Sequence, residues 1–153
     1  MAIFFQNNVG FKLSLNSGST YVDLTDHTQS VTINRTFDEL DVTAMGALGH
    51  SFIAGLEAST ISVDFLNDDS AGQVMATLNA AVGLNVPFKI LQTVTAIAAL
   101  TSTGTPSATN PLYSGLILVN KITPIAGKVG DVAVQSLQFT VSGAITVNAA
   151  GTW

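Results

Sequence analysis

The sequence predicts a mainly β protein: a sandwich or barrel of antiparallel strands flanked by one α-helix at about 70–82, with a long loop at about 38–55. Three observations carry this. Apolar residues alternate with polar ones in several short runs, Gly/Ser/Asn clusters separate those runs, and a single stretch has helical spacing. The 153 residues suit one domain, 1–153, and are enough to bury a core.

Residues 1–9 show little pattern beyond Phe4 and Phe5 and read as an N-terminal arm. Gly10 to Leu15 sets Phe11, Leu13 and Leu15 against Lys12 and Ser14, a half-buried strand ended by the turn cluster Asn16-Ser17-Gly18-Ser19. Tyr21 to Leu24 is its short partner. From Gln29 to Phe37, Val31, Ile33 and Phe37 share a face that Arg35 interrupts, so Arg35 needs a partner. Asp38 to Leu56 loses regular periodicity and carries Gly46, Gly49 and Gly55, which predicts a long loop with one short strand at Asp41 to Ala44. Loops of this length are usually functional or disordered. Val42, Met45, Leu48, Phe52, Ile53 and Leu56 argue against disorder and for docking on another surface.

Ser59 to Phe65 is the clearest strand, with Ile61, Val63 and Phe65 alternating with Ser62 and Asp64. Ser70-Ala71-Gly72-Gln73 fits the S-x-x-Q capping box, with Asp68 and Asp69 set against the positive helix end. Val74, Met75, Leu78, Ala81 and Val82 then recur at helical spacing until Gly83 stops the run. Asn85 to Thr95 reads as a strand with Pro87 near its start, and Thr101 to Pro111 as a loop. Leu112 to Ile122 contains the unbroken run Leu116-Ile117-Leu118-Val119, which predicts cover on both faces. A turn region from Pro124 to Asp131 leads to the last strand. There Leu137, Phe139, Val141, Ile145 and Val147 keep one parity through Gly143, a predicted bend or bulge. The tail, 148–153, is polar apart from Trp153.

Apolar residues make up 47% of the chain and charged residues 10%, against about 25% charged in an ordinary domain. Neutral Thr, Ser, Asn and Gln fill the polar surface, a composition common where assembly covers area. Without cysteine there is no disulfide, zinc-thiolate site or cysteine nucleophile. The first residues lack a basic n-region and no apolar run approaches the roughly 20 residues of a membrane span. A soluble protein made in the cytoplasm, with no membrane insertion, is expected. The net charge of −5 is uneven: nine of the ten acids precede residue 70, beside Lys12 and Arg35 only, while Lys89, Lys121 and Lys128 face the single acid Asp131 beyond it. The two halves could complement each other between subunits or be two solvated surfaces.

Chemistry-bearing patterns are missing. G-x-S-x-G and G-x-x-x-x-G-K-[ST] do not occur, and Gly127-Lys128 lacks the upstream glycine and following hydroxyl of a phosphate loop. His27 and His50 are not in a metal spacing, and Asn67-Asp68-Asp69-Ser70 fails the calcium-loop pattern. Asp38, Glu39 and Asp41, crowded in one loop, suit solvation or an interface better than paired-acid catalysis. No catalytic, cofactor or metal residues are expected, and no enzyme. Five scattered bases cannot grip a phosphate backbone, whereas a neutral or acidic surface lets DNA pass.

The run Phe37-Asp38-Glu39-Leu40-Asp41-Val42-Thr43-Ala44-Met45-Gly46, followed by Phe52-Ile53-Ala54-Gly55-Leu56-Glu57-Ala58-Ser59-Thr60-Ile61-Ser62-Val63-Asp64-Phe65, resembles the major tail tube proteins of long-tailed phages with non-contractile tails. In that family an acidic D-x-T-x-x-G stretch and a G-L-x-x-x-x-I-S stretch flank a long loop. Leu137 to Val147 is similar to its closing strand, F-x-V-x-G-x-I, and the length matches members without an added immunoglobulin-like domain.

The resemblance implies a β-sandwich with one helix that closes into hexameric rings, stacked as a hollow tube around a tape measure protein; type VI secretion tubes share the plan. It implies a place in the virion tail, with tail terminator and tail-tip proteins as further partners and DNA as non-specific passing cargo. On this reading Asp38, Glu39, Asp41, Met45, Leu48, Phe52 and Ile53 reach an adjacent subunit or ring, and Leu116, Ile117, Leu118 and Val119 are buried between subunits. Asp68 and Asp69 would meet Lys89, Lys121 and Lys128 in head-to-tail stacking. Competing readings are a β-sandwich that decorates a capsid or recognises a host glycan, which needs a shallow aromatic site although Tyr21, Tyr113 and Trp153 are scattered, and a hydrolase, which needs convergent acids that the sequence does not assemble.

Overall fold

A computed structural model describes residues 8–98 and 101–153. Phe4, Phe5 and most of the arm expected at 1–9 lie outside the described residues. The strands are β1 (Gly10–Leu13), β2 (Val22–Asp23), β3 (Thr28–Asn34), β4 (Phe37–Asp41), β5 (Phe52–Glu57), β6 (Thr60–Leu66), β7 (Asn85–Leu91), β8 (Ala96–Ala98), β9 (Thr101–Thr103), β10 (Leu112–Leu118) and β11 (Val134–Asn148), with helix α1 (Val74–Ala81) between β6 and β7. Seven of them form one antiparallel sheet in the order β2-β1-β7-β10-β11-β6-β3, while β4-β5 and β8-β9 are separate hairpins. The expected mainly β architecture with one helix is present, as a curled half-barrel.

The curl is built on β11. Its first half, Val134 to Thr140, pairs with β6, and its second, from Thr140 to Asn148, pairs with β10. Between the two, Ser142 to Thr146 is matched by only Leu116 to Ser114 on β10, and Gly143 sits there at φ +87°. The predicted bulge is thus at Gly143, where an L side chain would be strained and glycine is not. The bend folds the sheet over itself: Phe11 on β1 meets Phe65 on β6 edge to face, ring centroids 5.4 Å apart, although the two strands are far apart in the sheet order.

Alternation decides what fills the core. Phe11, Leu13, Ile61, Val63, Phe65, Phe88, Ile117, Leu137 and Phe139 point inward, joined by Val74, Leu78 and Ala81 of α1. Leu15 and Phe37 depart from the expectation. The first strand stops at Leu13, because Ser14 turns in and its buried hydroxyl accepts from the amide of Gly18 at 2.8 Å, leaving Leu15 outside. Phe37 belongs not to β3 but to β4, where it is exposed.

The capping box is also corrected. The helix starts at Val74 with Gln73 as N-cap and no side-chain cap hydrogen bond. Asp68 takes over the task, its carboxylate accepting from the Ser70 amide at 2.7 Å and its carbonyl from the Met75 amide at 3.1 Å. Gly83, at φ +81°, ends the run as expected. The strand expected over Asn85 to Thr95 ends at Leu91, and the loop expected from Thr101 opens with β9.

The tail does not hang free. Trp153 packs on Leu91, Val94 and Leu112, its indole N–H donates to the Ser102 hydroxyl at 2.9 Å, and Lys12 Nζ stands 4.3 Å from its ring. Ser102 in turn donates to buried Asp23, which also accepts from the Thr25 hydroxyl at 2.6 Å and lies 3.6 Å from Lys12 Nζ. A Cβ on Gly10 would come within 2.3 Å of the Trp153 ring, so the close approach of tail and β1 requires glycine there.

Candidate functional site

The stretch from Asp38 to Leu56, expected as an irregular loop, is a β-hairpin. β4 and β5 pair through Phe37↔Glu57, Glu39↔Ala54, Leu40↔Ile53 and Asp41↔Phe52, and the Val42 amide extends the ladder to Ser51 O at 2.8 Å. Cross-strand partners share a face. One face therefore shows Leu40 and Ile53, with Asp38 beside them; the other shows Phe37 and Phe52 among Glu39 and Asp41. All of these side chains are exposed, and at the tip Met45 and Leu48 are as open as in an extended chain, at 105% and 108%. Apolar groups on both faces hide the strand alternation in the sequence. They also distinguish this hairpin from a sheet edge that lies on its own core.

The tip and the root are held by polar contacts. At the tip the Asp41 carboxylate accepts from the amide and hydroxyl of Thr43 and pairs with His50 Nδ1 at 3.1 Å; the Thr43 bonds, then His50, hold its pKa below the ordinary value. His50 stacks on Phe52. At the root, Arg35 finds the partner its sequence position called for: Nε donates to Glu57 Oε1 at 2.9 Å and Nη2 to Oε2 at 3.1 Å. Glu57 also accepts from the Ser59 hydroxyl at 2.6 Å and from the Ile145 amide at 3.3 Å, while Arg35 reaches Ile145 O at 3.3 Å. Arg35 and then Ser59 pull the Glu57 carboxyl down to about 2. This fork fastens the hairpin to β11 just past the Gly143 bulge.

The other expected site residues are placed as follows. On β10 and just beyond it, Ile117 and Val119 are fully buried, Leu118 is half-buried and Leu116 is 41% exposed, so the chain itself covers one face of that run and leaves the other open. Asp68, Asp69, Lys121 and Lys128 come to one end of the sheet rather than to two, because Asn67 bonds to Ala133 O at 2.9 Å and to Pro124 O at 3.3 Å. Asp68 there pairs with His27 Nε2 at 3.0 Å, and Lys128 with Asp131 at 3.5 Å. Lys89 is used inside the chain: it donates to Thr152 O at 2.6 Å, lies 4.6 Å from the Tyr21 ring, and has its pKa lowered chiefly by desolvation.

The sequence did not point to Glu57, to the docked Trp153, or to a second exposed apolar segment. The last was read only as a turn region; Ile125 and Val129 on it are 94% and 104% exposed. Ile125 and Val129, set among Pro124, Gly127 and Gly130, were a visible signal for it. For catalysis the arrangement offers little, since Asp38 stands on the opposite hairpin face from Glu39 and Asp41 and all three are exposed. Among the described residues no cluster of three or more His, Asp or Glu could hold a metal, and no helix is long and apolar enough to cross a membrane.

No protein-family model matches the chain, and no curated protein matches its sequence. Solved structures do match its fold. A chain in the tail of an empty gene transfer agent (GTA) particle, determined by helical refinement with C6 symmetry, superposes with a TM-score of 0.68 at 15% identity, over 95% of this chain and 99% of that one. A chain in the virion of the native GTA particle gives 0.68 at 14% identity over the same shares. A chain in the 6-fold symmetrised baseplate of the anti-feeding prophage gives 0.61 at 8% identity, over 97% of each. At such identities the likeness is one of fold. It spans nearly the whole chain, and it extends to a tail and a baseplate alike.

Proposed function

We propose that this chain is a structural subunit of the tail of a phage-like particle, which assembles with copies of itself into hexameric rings stacked as a hollow tube. The observation that carries the reading is a fold shared end to end with a chain of a C6-symmetric tail. The hairpin supports it. A monomer rarely exposes a contiguous apolar patch beyond a few hundred Å², and a hairpin apolar on both faces requires cover on two sides, which stacked neighbours provide. Leu116, the open side of the β10 run, gains its cover the same way.

In this reading rings close by joining the curled sheets of neighbouring copies, which removes sheet edges. The tube forms around a tape measure protein, ends on terminator and tip proteins, and passes DNA that a chain with five bases and a net charge of −5 does not hold. The subunit has no catalytic role. The glycan-binding alternative loses two of its aromatics, since Trp153 and Tyr21 are engaged within the chain.

Electron microscopy of the purified protein tests the proposal: hollow rings or tubes are expected, and a monodisperse monomer at high concentration, unchanged by its tail partners, sinks it. Leu48→Ser combined with Phe52→Ser should leave circular dichroism and melting intact while abolishing polymerisation. Loss of folding in that variant would instead assign both side chains to the core.

A further inference from the structure

β2 and β3 are the two outermost strands of the sheet, yet only Leu24 to His27 separate them in the chain. Thr25–His27 form a short 3-10 turn that carries the chain from one sheet edge to the other. The turn is tied to β1, where the Phe11 amide donates to the Thr25 hydroxyl at 3.1 Å. It is tied to the start of α1 through a single side chain, His27. The ring has Nδ1 2.8 Å from Asp26 Oδ1 and Nε2 3.0 Å from Asp68 Oδ2, and all three side chains are half-buried. These two acids are the charged groups that contact the ring among the described residues. The other Asp68 oxygen, Oδ1, accepts from the Ser70 amide, and the Ser70 bonds, then His27, hold the Asp68 carboxyl below its ordinary value.

A carboxylate only accepts hydrogen bonds. A neutral imidazole has one donor nitrogen and one acceptor, so it serves one of these partners and turns a lone pair towards the other, whereas the imidazolium donates to both. We infer that His27 is a proton-operated clamp: protonated, it fastens the crossing between the two sheet edges to the start of α1 through Asp26 and Asp68, and on losing its proton it lets one of them go. The clamp belongs to the single subunit and works whether or not copies assemble. Folding holds two carboxylates against the ring that the unfolded chain does not. The stabilisation is therefore present on the acid side of the imidazole titration and lost as pH rises through it, the reverse of what a salt-bridged carboxylate gives. The strands on either side of the turn are the sheet edges that a ring of copies would use.

Thermal melts of the full-length subunit between pH 5.5 and 8.5 test this, a range around the ordinary imidazole value of about 6.5. Across it wild type should lose roughly 2–4 °C more than His27→Gln, a comparison that cancels His50, which both proteins keep. The ring's own titration, followed by NMR, should fall in the same pH interval as that loss. Asp68→Asn should flatten the profile: its Oδ1 still accepts from the Ser70 amide, while an amide nitrogen in place of Oδ2 donates to Nε2 of the neutral ring. Parallel melts of wild type and His27→Gln, or a profile that Asp68→Asn leaves unchanged, would overturn the clamp and leave the tube reading standing.

Discussion

Arg35 and Glu57 stand on either side of the hairpin root, and their fork, with the Ile145 amide, decides the direction in which the hairpin leaves the sheet. The Glu57 carboxyl, ordinarily near 4.5, is held at about 2 in the folded chain. A depressed folded-state pKa means that the stabilisation is fully present above the unfolded value and is lost as pH falls through the folded one. Glu57→Gln should therefore lower the melting temperature at pH 7. The gap to wild type should shrink between pH 4.5 and 2 and vanish below, read by thermal melts of unassembled subunit at each pH. Arg35 was legible as a residue in need of a partner, since a cation interrupting an apolar face rarely stays alone. Glu57 was not, because the whole hairpin separates the two in sequence and only the closed ladder brings them together.

Among elements, legibility follows how many sides are covered. β1, β6 and β11 lie on one core and keep an apolar/polar alternation that any reader of the sequence can see. Among the described residues nothing covers β4 and β5, their two faces both carry apolar groups, and the alternation disappears. The helix was found by its spacing but begun too early, because Asp68, outside the S-x-x-Q pattern, takes the Ser70 amide that the Gln73 side chain was expected to satisfy, and the Gln73 amide goes to the Ser70 carbonyl. Gly143 was read correctly, since a glycine inside an otherwise regular strand has few other uses. Its substitution is a clean measure of backbone strain: a Cβ at Gly143 meets nothing within 4 Å, yet φ is +87°. Gly143→Ala should cost about 1–2 kcal/mol, a drop of roughly 2–8 °C in melting temperature for a chain of this size. Gly49→Ala, equally unobstructed and without a positive φ, should leave the melt unchanged.

At the scale of the molecule, composition pointed to assembly, and the fold shows where cover is missing. The charge contrast between sequence halves did not become two charged ends, because antiparallel pairing brings the segment after β6 and the segment before β11 to the same end. Cover should be visible as protection. In hydrogen exchange the β4-β5 amides should be among the fastest of any strand in the free subunit and slow by at least about tenfold in assembled tubes, while β6 amides change little. The topology also sets a calendar. The hairpin leaves the ribosome before β11, and among the described strands it is β11, which follows all the others, that joins the two half-sheets. Until Ile145 has been added, Glu57 lacks the backbone amide that fixes the hairpin's direction. A chain interrupted before that residue carries the sticky segment without the means to aim it.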